Sequence, residues 1–160
     1  MKTATVSQLK KDLNHQSKDE LVELCLRLSK FKKENKELLT YLLYEIDDEA
    51  GYIEGVKEEI DAQFELINTS SYFYIKKSVR KILRMVKKYI RYSKNKETEA
   101  ELLLYFCSVL KEMKPPFYRN VSLQNIFDRQ LLLVRKAVAT LHEDLQYDYD
   151  LELDELTGIK

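Results

Sequence analysis

Apolar residues recur every three or four positions along almost the whole chain, which is the spacing of an amphipathic α-helix. Short polar stretches interrupt the pattern, and Ser17 with Glu20 has the S-x-x-E spacing of a capping box at a helix start. Only three Gly and two Pro occur among 160 residues, which leaves few turn residues for a sheet. We therefore predict an all-α protein of about seven helices, in an antiparallel bundle or in an irregular, superhelix-like stack of helix pairs.

The sixth predicted helix is expected to be the most buried element. Its residues 102–107 are apolar on all sides, whereas the other predicted helices have one apolar face. Pro115 and Pro116 stop this helix, because proline cannot continue the helical hydrogen bonds. A seventh helix follows, with an apolar stripe from Ile126 to Leu145.

The last residues of the chain have a different pattern. In the stretch YDYDLELDEL, acidic and apolar residues alternate, and the apolar ones share one side only if the backbone is extended. We therefore predict a single all-helical domain over residues 1–146 and an acidic C-terminal tail over residues 147–160. The tail is expected either to lie as an extended strap across the basic helix described next or to be disordered.

The fifth predicted helix, YIKKSVRKILRMVKKYIRYSKNK at residues 74–96, carries ten Lys or Arg and no acid. At 100° per residue its apolar side chains form one face, which is expected to join the core, and its cations form the other. Like charges four residues apart repel, so this basic face should attract anions. The candidate residues for binding an anion or a partner are Lys76, Arg80, Arg84, Lys87, Lys88 and Arg91.

Two neighbouring segments could supply these anions from within the chain. Residues 41–71 contain nine acids against one base, and residues 137–160 contain seven against one. We hypothesise that at least part of the basic face pairs with the acidic tail or with one row of carboxylates on the fourth helix. The members of that row are Glu54, Glu58, Asp61 and Glu65. The alternative is that the cations stay uncovered and bind an external polyanion, with Tyr89 and Tyr92 available to stack bases.

Side chains that could carry catalysis are scarce. The LHEDL stretch at His142 lacks a second His four residues on, so it does not match the zinc-binding HExxH pattern. Cys25 and Cys107 lie in apolar segments without metal-ligand spacing and are expected to be core residues. No glycine-rich phosphate loop occurs. We expect no catalytic residue, cofactor, metal ion or small-molecule substrate, and we do not expect an enzyme.

The location of the protein is inferred from what the apolar segments lack. No stretch approaches the ~20 apolar residues of a membrane span, and the N-terminal residues contain no apolar run typical of a signal peptide. We therefore expect a cytoplasmic protein with reduced thiols and no membrane partner.

Three stretches resemble an uncharacterised family of small bacterial, all-helical proteins of unknown function. They are LCLRLSKFKKENKELLTYLLYE, YIKKSVRKILRMVKKYIRYSKNKETEAELLLYFC and LHEDLQYDYDLELDEL. The resemblance implies a bacterial cytosolic helical domain. It assigns no activity and no functional residue.

Two functions fit these patterns. The sequence favours a non-enzymatic helical interaction or scaffold module that docks a protein partner, or a second copy of itself, through charge-segregated faces. The alternative is binding of nucleic acid or another polyanion through the basic helix at residues 75–94. The zero net charge of the chain weighs against this alternative, because it weakens long-range attraction to a polyanion.

Overall fold

A computed structural model describes residues 1–158 of the chain and contains eight α-helices and no strand over that range. The all-α fold class predicted from the sequence is confirmed. A five-residue π-helix, Tyr41–Glu45, and a 3-10 turn, Phe117–Arg119, lie between the longer elements. The helices are α1 Val6–Leu13, α2 Lys18–Phe31, α3 Lys33–Thr40, α4 Glu49–Glu65, α5 Tyr72–Ser93, α6 Lys96–Glu112, α7 Val121–Val138 and α8 Glu143–Thr157.

The chain forms two compact units, where the sequence pattern predicted one domain over residues 1–146. The N-terminal unit is Met1–Tyr44 and the C-terminal unit is Glu45–Lys160, of which residues 45–158 are described. Within residues 1–158, no helix combines the length and the apolar character that crossing a membrane requires.

The N-terminal unit contains α1 and a pair of packed helices, α2 and α3. The predicted capping box is present, since the Ser17 hydroxyl accepts from the Glu20 amide and the Glu20 carboxylate accepts from the Ser17 amide. Lys32 is extended and separates α2 from α3. Among the described residues of this unit only Ser29 and Tyr41 are buried. The prediction that Cys25 is a core residue is wrong, because two short helices cannot enclose it and its side chain is exposed.

The C-terminal unit is built around α6, which packs against α4, α5 and α7. As predicted, α6 is the most buried helix, and Phe106 and Cys107 are completely covered. The Phe106 ring lies 5.8 Å from that of Phe64 on α4. A helical segment that is apolar on all sides, as residues 102–107 are, suits this central position because neighbouring helices surround it.

Helix α5 carries its apolar face into this core. Ile75, Val79 and Val86 are fully buried, as the projection of the sequence predicted. Two tyrosine hydroxyls fix the helix ends, since Tyr72 donates to the Pro116 carbonyl and Tyr52 donates to the Tyr89 carbonyl, both at 2.7 Å. The opposite, basic face of α5 is thereby directed away from the core.

The acidic tail predicted as an extended strap or a disordered segment is helical up to Thr157. The predicted seventh helix ends early, at Val138, and a new helix, α8, begins at Glu143. Tyr149 and Leu153 are four residues apart and both buried, which is helical spacing. The alternation of acidic and apolar residues predicted an extended backbone, in which Tyr149 and Leu153 are not recognised as a pair on one helix face. The last two residues of the predicted tail, Ile159 and Lys160, lie outside the described residues.

Both ends of α8 are capped by residues suited to the position. The His142 ring nitrogen Nδ1 accepts a hydrogen bond from the Asp144 amide at 3.2 Å, so this histidine caps a helix start. Gly158 ends the helix with a positive φ of 74°, a conformation that glycine adopts without strain. His142 therefore lies at the start of α8 and not within the predicted seventh helix.

Candidate polyanion-binding face

Five cations form a continuous strip along the outer side of α5, and we call them the cation row. The row extends over 16 residues, or about 22 Å of helix, and occupies a strip about 80° wide when projected down the axis. Four of its members are exposed and Lys76 is half-buried. Lys77, Lys81 and Lys88 flank it. The cation row consists of Lys76, Arg80, Arg84, Lys87 and Arg91.

No member of the cation row forms an ion pair with a described carboxylate. The hypothesis that this face pairs with the acidic row of α4 or with the acidic tail is therefore wrong for these five cations. Neither Glu58 nor Glu65 forms an ion pair within residues 1–158, and the partners of Glu54 and Asp61 lie elsewhere.

Helices α4 and α6 supply the partners of the acidic row. Glu54 lies 3.4 Å from Lys57 Nζ on its own helix. The Tyr105 hydroxyl of α6 donates to the Asp61 carboxylate at 2.7 Å. Two of the four carboxylates are thus directed toward polar groups beside α6, and no carboxylate among residues 1–158 pairs with the cation row.

No ion pair with a carboxylate of residues 1–158 offsets the repulsion within the cation row. Lys76 and Arg80, Arg80 and Arg84, and Lys87 and Arg91 are like-charged pairs four residues apart, each unfavourable by a few tenths of a kcal/mol. A bound anion would relieve this repulsion at several positions together. The face therefore has the electrostatics of an anion-binding surface.

Two aromatic side chains lie one turn before the cation row. Phe73 and Tyr74 are exposed, and their rings contact each other edge to face at 5.3 Å. The Lys77 ammonium lies 5.3 Å from the Phe73 ring centre. Exposed aromatic rings beside cations are the elements with which proteins bind single-stranded nucleic acid.

The two tyrosines that the sequence made available for stacking bases are not fully exposed. Tyr89 and Tyr92 are half-buried and contact each other at 6.0 Å, and the Tyr89 hydroxyl donates to Glu59 at 2.8 Å. These two rings are therefore part of the packing between α4 and α5. The signal that could have found Phe73 and Tyr74 is their position at the helix start, directly after the NTSS turn.

A cleft of about 740 Å³ lies between α4, α6 and α8 in the C-terminal unit. Lys57 and Glu101 line this cleft and form an ion pair, in which Lys57 Nζ lies 2.9 Å from Glu101 Oε1. Burial lowers the pKa of Lys57, but the hydrogen bond and charge of Glu101, followed by Glu54, outweigh burial and raise it overall. Burial also raises the pKa of Tyr105 to about 12, and its hydrogen bond to Asp61 adds to the effect. Lys57 therefore stays charged and Tyr105 stays protonated at neutral pH.

The described part of the C-terminal unit contains neither an exposed thiol nor a cluster of metal ligands. Burial raises the pKa of the Cys107 thiol to about 12, so this cysteine is neutral and shielded from substrates. No group of three or more metal-ligating side chains comes together within residues 1–158. The cleft is thus a polar seam in which Lys57 pairs with Glu101, while Glu152 lies near other carboxylates.

Comparisons with known proteins assign no family to the chain. No protein-family model matches it, and no curated protein and no solved structure is significantly similar to it. The resemblance to an uncharacterised bacterial family stays a prediction.

Proposed function

We propose that this chain is a non-enzymatic helical binding module, and that the cation row of α5 binds the phosphate backbone of single-stranded nucleic acid. The observation that carries the proposal is that five cations follow one another along about 22 Å of helix without a described carboxylate partner. Phosphate oxygens would supply the missing counter-charge.

Two further features support nucleic acid over other anions. Three of the five row members are arginines, whose planar guanidinium groups can hold phosphate oxygens through paired hydrogen bonds. Phe73 and Tyr74 add exposed rings on which unpaired bases could stack at one end of the row. A duplex keeps its bases stacked inside, so these rings favour a single strand.

The function that the sequence favoured is docking of a protein partner or of a second copy of the chain. The overall charge of the chain favours this function over binding of nucleic acid. The chain has zero net charge, so its long-range attraction to nucleic acid is weak. An acidic protein surface could also neutralise the cation row. The experiment below distinguishes the two functions.

The proposal is tested by fluorescence anisotropy with a labelled single-stranded oligonucleotide of about 16 nucleotides, a length in the range that single-strand binding sites cover. Five phosphate contacts predict a slope of about −3.5 for log affinity against log salt, or roughly a 100-fold loss between 50 and 200 mM salt. Changing Arg80 and Arg84 together to Ala should reduce the slope to about −2. The matched control is the double change Arg135→Ala and Lys136→Ala, which removes two exposed cations from α7 and should leave the slope unaltered.

Base stacking is tested separately with Phe73→Ala and Tyr74→Ala. Each change should weaken binding of the single strand more than binding of a duplex, by about 1–3 kcal/mol for each stacked base. Tyr147→Ala on α8 removes an equally exposed ring and serves as the control. Absence of binding at 50 mM salt, or a slope near zero, would exclude nucleic acid and leave protein docking as the function to pursue.

A further inference from the structure

Helix α1 presents an apolar stripe that nothing in the N-terminal unit covers. Val6, Leu9 and Leu13 lie on one side of the helix and are 82%, 49% and 42% exposed, and α1 buries no residue. Its start is nevertheless fixed by a capping box between Thr5 and Gln8. A helix of eight residues is marginal in water without packing, so this stripe needs a surface to pack against.

The same unit contains an open apolar groove between α2 and α3, with a volume of about 240 Å³. Leu28, Leu38 and Leu42 line it and are themselves exposed. Its polar groups are already satisfied, because Ser29 donates to the Leu26 carbonyl and Asn35 donates to the Leu28 carbonyl, at 2.7 and 2.8 Å. An apolar occupant therefore fits this groove better than a polar one.

The size of the groove favours side chains of a helix over a free small molecule. Ligand pockets usually measure roughly 300–1,000 Å³, and this groove is smaller and shallow. Amphipathic helices bind such grooves through residues spaced at i, i+3 and i+7. Val6, Leu9 and Leu13 have that spacing.

We propose that α1 of one copy of this chain docks into the α2–α3 groove of a second copy, and that the exchange is reciprocal. The apolar stripe and the groove occur on the same chain. Two copies can therefore form a closed two-fold dimer in which the stripe of each copy covers the groove of the other. The turn between α1 and α2 is short and held by hydrogen bonds from His15 and Gln16 to the preceding carbonyls. In this arrangement α1 leaves the groove of its own chain open.

The area involved sets the expected strength of the dimer. Covering the three stripe residues and three groove leucines in both arms would bury on the order of 1,000 Å² in total, which is at the lower end for specific interfaces. The dimer should therefore form in the micromolar range and dissociate on dilution. The cation row takes no part in it, so the inference stands apart from the polyanion proposal.

The first test is sedimentation velocity of the full chain between about 1 and 200 µM, a range that brackets the weak association expected for this area. The wild type should pass from monomer to dimer, whereas Leu9→Glu and Leu28→Glu should each stay monomeric. Glu is a good helix former and both sites are exposed, so far-UV circular dichroism of the variants should be unchanged. Leu132→Glu introduces the same change on α7 at an exposed site and should dimerise like the wild type.

Mixing the two variants gives the decisive result. The Leu28→Glu chain keeps an intact α1 and the Leu9→Glu chain keeps an intact groove, so together they can form one of the two arms. A labelled Leu28→Glu chain should bind Leu9→Glu at least tenfold more tightly than it binds itself. Because one arm buries only about half of the area, the mixture is measured up to roughly 1 mM. The exposed Cys25 thiol at the groove provides a second readout, because its reaction with a disulfide reagent should slow as the wild-type concentration rises.

Three outcomes would overturn the inference. A wild type that is monomeric over the whole concentration range would exclude the reciprocal dimer. A Leu9→Glu variant that dimerises like the wild type would remove α1 from the interface. Failure of the two variants to associate in the mixture, with a dimeric wild type, would show that the interface does not pair α1 with the groove.

Discussion

The two units of this chain differ in what they do with their apolar side chains. In the C-terminal unit four helices share a core around α6, in which Phe106, Leu103 and Leu110 are almost completely covered. In the N-terminal unit the only buried hydrophobic residue among those described is Tyr41. Leucines such as Leu24, Leu26 and Leu28 are exposed there although they lie in a regular helix.

The difference teaches that apolar periodicity and core formation are separate properties. Both units have amphipathic helices, but a core requires enough surrounding layers to enclose the apolar faces. A segment of 44 residues is near the size at which a chain cannot bury enough surface to be stable by itself. Its uncovered apolar surface is the feature from which the dimer is inferred, and the cation row on the well-packed unit is the feature from which polyanion binding is proposed.

The largest effect that separates the two units should come from removing the same side chain in each. Phe106→Ala leaves a cavity in the C-terminal core and should lower the free energy of unfolding by about 3–5 kcal/mol. Phe31→Ala on α2, where the ring is 77% exposed, should change it by less than about 0.5 kcal/mol. Urea unfolding at low micromolar concentration measures both. A comparable loss in the two variants would mean that the N-terminal unit has a core of its own in solution.

The sequence predicted those features that depend on one helix alone. Continuous apolar residues identified α6 as the central helix, and periodicity separated the buried face of α5 from its cations. The sequence did not predict the burial or the ion-pair partners of residues whose surroundings are formed by other helices. Cys25 is exposed because no third helix covers it, and Glu54 and Asp61 of α4 contact Lys57 and Tyr105 instead of the cation row.

The helical tail shows how two patterns can coincide in one segment. Alternation over residues 147–153 is compatible with an extended strand, but the same residues place Tyr149 and Leu153 on one side of a helix. Tyr147 and Leu151 then remain exposed, which the sequence pattern does not reveal. Contact with the rest of the C-terminal unit selects the helix, and single-sequence reasoning cannot include that contact.

A smaller effect should come from removing a helix cap in each unit. The Asn95 side chain accepts from the amides of Glu97 and Thr98 at the start of α6, so Asn95→Ala should lower the free energy of unfolding by about 1 kcal/mol. Ser17→Ala removes the cap of α2 and should leave the main unfolding transition unchanged, because α2 contributes little to the core. It should instead speed amide hydrogen exchange in α2. Equal shifts of the urea midpoint would show that both units unfold together.

The smallest effect concerns Glu152 on α8. Burial raises its pKa, the nearby charge of Glu101 adds to this, and Lys57 partly offsets it. The folded chain therefore holds this proton more tightly than the unfolded chain, so stability falls as pH rises from the unfolded pKa of about 4.3 through the folded pKa. Glu152→Gln should accordingly stabilise the protein at pH 7, by only a few tenths of a kcal/mol because solvent reaches the carboxylate.

The advantage of Glu152→Gln should disappear as pH falls below about 4, where the wild-type carboxyl is protonated in both states. Glu20→Gln removes one acid from the N-terminal unit and keeps the capping box, since Gln can replace Glu there. Urea unfolding of both variants between about pH 3 and 8 separates a local effect at the cleft from a general effect of net charge. If both variants gain the same stability at pH 7, the change in net charge is the cause. The local environment of Glu152 then does not destabilise the C-terminal unit.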